Sequence, residues 1–552
     1  MVARRSLLAV WLALALLSAA PAAEPGPWDL PWGDQGDGTY RNPVLNADFA
    51  DSDIEWDAAS RTWFMITSTN HLAPAMTVLA SRDLVNWRYA AHVWPGLSWK
   101  PDYDWRAMDG YRWGTWAGDL SHHDGRWFCH MIDKTYGLIV STAPQPTGPW
   151  SEPVTVLQRM DWTDPAVYWD ETAKQGYLLC HWGDTPGGPK GWHDLRLFKL
   201  SADGTKLLDD GVVVYSGPRS EAAKIHRIDG RWYIMAIDWV DGDRKQIALR
   251  STTGSIYGPY ERRVVLQRGN GFTHSACQGS LVQDAAGAWW FMHQLVQNGT
   301  PNFQGRPQAL EPVQWIDGWP QIGADIDADG VGEPVWVHAK PAAAGEDARD
   351  IRLATSDEFD SPTLGLQWLW NHNPRDDRWS LTVRPGWLVL TAGKPVREGG
   401  FWRAANTLSQ PILGTARGDA IVKLDLAAMR TGQVGGLCHF SDVCQLLGVR
   451  IAADGARTLF ANHNGREAAG PALAHDTIWL RSSWQRDAAT FAYSLDGATW
   501  QPFGEKFKLT AGNWRGDRVG LFTWNDATDD AAQAGALAAD WFHLTFSAIS
   551  PR

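Results

Sequence analysis

The chain has 552 residues, 44% of them hydrophobic, and a formal net charge of −12 from 50 basic and 62 acidic side chains. That length exceeds one ordinary core and points to two domains. The acidity argues against nucleic acid or an anionic membrane as partner and fits a neutral one such as a glycan.

Residues 1–22 read as an export signal: Arg4 and Arg5, an apolar run from Leu7 to Leu17, then Ala20-Pro21-Ala22. The run is too short to anchor a chain in a bilayer, and no other segment is long and apolar enough to cross one. The mature protein is therefore expected to be secreted or periplasmic. Coil rich in Gly, Pro and Trp follows to about residue 41.

Between residues 60 and 292 one pattern recurs five times: a small or polar turn, an aromatic, then a short apolar strand. The anchors are Trp63, Trp127, Tyr177, Trp232 and Trp289, spaced 64, 50, 55 and 57 residues apart. That is roughly the period of a four-stranded propeller blade, and five copies predict a five-bladed β-propeller over residues 23–338. The innermost strand of each blade should precede its anchor by about a dozen residues. Counting back reaches Asp51, Trp116, Asp164, Glu221 and Cys277. Three acids on one axis repel each other and lose solvation, which raises at least one pKa. One protonated and one ionised carboxyl is the apparatus of glycoside hydrolysis.

Asp325-Ile326-Asp327-Ala328-Asp329-Gly330 opens like a calcium loop, but Trp336 stands where a bidentate Glu is needed, so an exposed turn is expected. Residues 339–350 are small, polar and unpatterned and read as a linker. From 351 to 552 the period of two returns without the blade repeat, as in Trp387–Leu390, Ala420–Leu424 and Phe491–Ser494. Short strands without long helices predict a β-sandwich. Five cysteines make no disulfide framework; Cys129 and Cys180 read as buried, while Cys438 and Cys444 are near enough in sequence to pair. Most of the 35 tryptophans are expected as packing wedges, the rest as stacking faces for sugars.

These residues carry a resemblance. Asn42-Pro43-Val44-Leu45 followed by Ala47–Asp51 resembles the opening of glycoside hydrolase family 43. Ser81–Trp87, Thr163–Ala166, the block Glu221–Gly230, Gly305–Pro307 and Pro312–Pro320 are similar to its later motifs, in the same order. The C-terminal half resembles the concanavalin-like sandwich of its xylosidase and arabinofuranosidase members. The resemblance implies an inverting hydrolase of plant cell-wall oligo- or polysaccharides, with Asp51 as general base, Glu221 as general acid, and Asp164 orienting Glu221. An inverting pair should stand ~6.5–9.5 Å apart to admit a water. His71, Trp116, His274 and Arg306 are candidate substrate-binding residues.

Departures from the family pattern bear on the site. Ser52 follows Asp51 where the family has Pro, leaving Asp48 and Asp53 as rival positions for the base. Ala222 replaces a Gly, which leads us to expect ordinary backbone there. Family members often place an axial histidine that helps hold a cation; Cys277 occupies that register with His274 three residues earlier, so no cofactor is expected, and a structural calcium is the one ion in question. Two other functions stay open. A carbohydrate-binding propeller with a degenerate site is one. A retaining fructan or sucrose hydrolase is the other, although Ala50-Asp51-Ser52-Asp53 stands in place of its Asn-Asp-Pro-Asn-Gly motif.

Overall fold

The computed structural model describes residues 28, 30–297, 303–345, 351–414 and 416–546. The expected export signal and residues 346–350 of the expected linker lie outside the described residues.

Five four-stranded antiparallel sheets follow one another, each hydrogen-bonded in chain order. Their first strands are Asp53–Asp57, Gly118–His123, Thr163–Asp170, Glu221–Ile228 and His274–Gln283. Each anchor aromatic stands in the second strand of its blade, as the turn-aromatic-strand repeat requires. The blades close where Thr39–Arg41 pairs with Val337–Ala339. Asn42 locks that closure by donating to the carbonyls of Leu310 and Val335.

A ring of hydrogen bonds links each blade to the next around the axis. Asp53 accepts from the amide of Leu120, Asp119 from Val167, Asp164 from Ala222, Gln246 from Gln278, and Gln294 from Asp51, all at 2.7–3.0 Å. Three of those donors sit in left-handed backbone: Asp51 (φ 57°), Ala222 (φ 56°) and Gln278 (φ 61°). The conformation costs a non-glycine residue ~1–2 kcal/mol. It coincides with an interrupted register in blades 4 and 5 and turns each N–H sideways to the neighbouring blade. The expectation of ordinary backbone at Ala222 is therefore corrected: its amide must face Asp164.

The C-terminal half is two packed sheets. In strands such as Arg417–Asp425 and Thr477–Gln485 every second residue is buried, the mark of a sheet with one core face. One sheet runs past its own domain: Leu369–Asn371 pairs with Leu72–Ala73, a short strand of the propeller. A single apolar cluster likewise runs from Trp63, Met65 and Met292 through Phe359 and Trp368 into the sandwich. The backbones approach so closely that a Cβ on Gly516 would lie 2.6 Å from the Gly305 nitrogen. Among the described residues the one α-helix is Ala531–Ala534. All five cysteines are free and buried; Cys438 faces Leu446 and Cys444 faces Phe440, so the two are not cross-strand partners.

Candidate active site

At the end of the axis where the inner strands begin lies a pocket of about 240 Å³. Asp51, Asp164 and Glu221, from blades 1, 3 and 4, all line it. Of the rival acids, Asp48 turns away to pair with Arg515 at 2.9 Å, and Asp53 lies one layer deeper, 2.9 Å from the Lys224 ammonium.

Asp51 is buried and held from both sides. Its Oδ1 accepts from Arg306 Nη1 at 2.6 Å and Gln278 Nε2 at 3.0 Å, while Oδ2 accepts from the Ser68 hydroxyl at 2.7 Å. Both oxygens acting as acceptors is the hydrogen-bonding role of a carboxylate. Asp164 Oδ2 accepts the amide of Ala222 at 3.0 Å and so grips the residue after Glu221. Burial, then the charges of Glu221 and Asp51, push Asp164 up to about 7. Glu221 is partly exposed to the pocket, with Arg244 Nη2 3.8 Å from its Oε1.

The walls are aromatic and basic. Trp116 stacks on Trp113 with ring centres 5.5 Å apart, and its Nε1 donates to the Arg112 carbonyl at 3.0 Å. Lys134 stands over the Trp116 ring at 5.7 Å. Trp514, from the sandwich, closes the rim edge-on to Trp116. Its neighbour Arg515 reaches behind the pocket and donates to Asn70, itself a wall residue, at 2.9 Å.

Two candidate residues are not brought to the pocket. His71 is buried under the floor between Tyr111 and His372, at ring distances of 4.8 Å, and accepts the Arg112 amide. His274 packs on Trp28 at 4.6 Å, at the outer end of its strand. Cys277 is also displaced: the left-handed bulge puts Gln278 on the axis and tucks the thiol against Ala222 and Ile237, where burial pushes it up to about 12. Gln278, Lys134, Arg244 and Trp514 were not anticipated. Adjacency to Cys277 was the only signal for Gln278, and nothing in the blade repeat announces the other three.

The axis does not fit the cation that the resemblance implied. Its next layer holds Lys224, whose ammonium contacts Asp53 and the Gly118 carbonyl, with neither His274 nor Cys277 beside it. Among the described residues one acidic group could converge on an ion, Asp325 with Asp327 and Glu333, and it lies outside the pocket.

A family model described as "Glycosyl hydrolases family 43" matches residues 40–320, and one described as "Beta xylosidase C-terminal Concanavalin A-like domain" matches 356–545. A Formosa agariphila protein named beta-xylosidase is 45% identical, over 93% of this chain and 91% of its own length. A Bacteroides ovatus protein named non-reducing end alpha-L-arabinofuranosidase is 28% identical, over 64% of this chain and 65% of its own. Among solved structures, the bifunctional GH43-CE protein of Bacteroides eggerthii superposes with a TM-score of 0.78 at 25% identity, covering 94% of this chain and 64% of that one.

Proposed function

Because the chain belongs to glycoside hydrolase family 43 and is a glycoside hydrolase, we propose that it releases single β-D-xylosyl residues from the ends of plant cell-wall glycans, with inversion. One observation carries the reading: the three carboxyls meet in a single pocket of about 240 Å³ walled by Trp113, Trp116 and Trp514. That is just below the roughly 300–1,000 Å³ of ordinary small-molecule pockets, sized for a terminal sugar ring rather than a length of polymer. The name of the Formosa relative supports xylose; that of the Bacteroides ovatus relative supports α-L-arabinofuranose as a second substrate.

In this reading Asp51, fixed by Arg306, Gln278 and Ser68, takes a proton from the attacking water. Glu221 gives its proton to the leaving oxygen as the glycosidic bond breaks. Asp164 is a positioning residue, acting through the Ala222 amide. Trp116 offers a flat face to the sugar, and Arg306 reaches its hydroxyls as well as Asp51. No step calls for a metal, since both transfers are of protons. The amino-terminal segment supports export, which cell fractionation would test.

Glu221→Gln should lower turnover of xylobiose by roughly 10²–10⁴-fold while sparing a nitrophenyl xyloside, whose leaving group needs no proton. Asp51→Asn should silence both substrates, and the first product seen by NMR should be α-xylose. Equal losses on both substrates in Glu221→Gln, or β-xylose as first product, would overturn these roles.

A further inference from the structure

The inner strands do not end at the active site. Alternation along Asp53–Asp57 sends Asp53 and Glu55 to the same face, and along Glu221–Ile228 it does the same for Lys224 and His226. From Asp51 to Glu55 the chain advances ~13 Å at ~3.3 Å per residue. There, toward the opposite face of the propeller, residues of blades 1, 4 and 5 line a cavity of about 380 Å³. The buried Asp53–Lys224 layer separates the two ends.

We propose that this far mouth is a second sugar-binding site, taking one ring of a neutral oligosaccharide between Trp56 and Trp289 and hydrogen-bonding it through Glu55 and His226. Both tryptophans are partly exposed on the cavity wall. The buried Nε2 of His226 has no hydrogen-bond partner among the described residues, and the Glu55 carboxyl makes no hydrogen bond to any of them. A third polar group on the wall, the Asp284 carboxylate, is fully engaged by the amides of Ala286, Ala288 and Ala342 and by the Trp290 indole. Glu55 and His226 therefore stand in the cavity wall with hydrogen bonds to give.

Their chemistry selects the ligand. Burial, then the charges of Asp53 and Asp119, push Glu55 up to about 8, and burial pulls His226 down to about 4. At neutral pH the mouth thus presents an uncharged carboxyl and an uncharged imidazole, each able to donate and accept. An ionic ligand would find no counter-charge on these two groups. Hydroxyls match both roles, and a sugar's apolar face suits an indole. The choice of a xylo-oligosaccharide rests on the glycosidase reading above; the site itself does not.

Isothermal titration of the full chain with xylotriose tests this in the Glu221→Gln background, where the ligand survives. Two molecules per chain are expected. Trp116→Ala should abolish one binding component; Trp289→Ala or His226→Asn should weaken the other at least tenfold. In the active protein the two far-mouth variants should hydrolyse nitrophenyl xyloside at the parental rate, which also reports that they fold. If Trp289→Ala misfolds, His226→Asn decides alone. A single component that His226→Asn leaves unchanged overturns the proposal. Loss of the Trp116-dependent component alone would instead count against the catalytic pocket.

Discussion

Replacing Arg515 by Met removes a cation that is 5% exposed and leaves Asp48, 2% exposed, without its partner. Removing one member of a buried ion pair costs ~3–5 kcal/mol, because the remaining charge stays out of water. At roughly 2–4 °C per kcal/mol for a unit of 150–250 residues, thermal unfolding should shift down by ~6–20 °C. The loss should also reach the pocket. Arg515 holds Asn70, and Asp48 accepts the amide of Arg306, the residue that grips Asp51. Circular dichroism melts and nitrophenyl xyloside kinetics on wild type, Arg515→Met, Asp48→Asn and the double variant form a cycle. The double variant should regain part of the stability, since no charge is stranded. Melting within about 2 °C of wild type for Arg515→Met, or additive losses in the double variant, would refute the argument.

Asp164→Asn should change the alkaline limb of kcat/KM. A raised carboxyl pKa means the proton is held below about 7 and lost above it, so wild-type activity should fall as pH rises through that value. With that carboxyl replaced by an amide the limb near 7 should be lost; an unmoved limb means Asp164 does not set it. Prolonged EDTA treatment should leave most activity intact, because the Lys224 ammonium already stands beside Asp53 on the axis. Loss that calcium alone reverses would contradict this. Cutting the chain after Val337 should abolish activity, since Trp514, Arg515 and the partner of Leu72–Ala73 all go. A soluble, fully active fragment would show the sandwich to be dispensable.

The blades were legible because each must repeat a turn, an aromatic wedge and an apolar strand, and that repeat survives in Trp63, Trp127, Tyr177, Trp232 and Trp289. Register within them pointed to the three acids that line the pocket. It failed by one residue in blade 5, because a bulge is a backbone event with no required residue type: neither Gln278 nor Ala222 carries the glycine that would have signalled left-handed backbone. His71 and His274 failed for another reason. Histidine is chemically conspicuous wherever it lies, and burial against Tyr111, His372 and Trp28 is decided by packing that no local pattern records. Trp514 and Arg515 meet the propeller across a separation local reading cannot bridge.

That separation has a consequence for how the molecule is made. The Arg515–Asn70 hydrogen bond joins positions 445 apart. Domains tend to acquire structure from the N-terminus during synthesis, and distant pairings are slow to form. Blade 1 can assemble early, yet its Leu72–Ala73 edge waits for Leu369–Asn371, and the pocket rim waits for Trp514. Until Trp514 and Arg515 emerge, the nascent chain holds its acids in an open, unfinished cup.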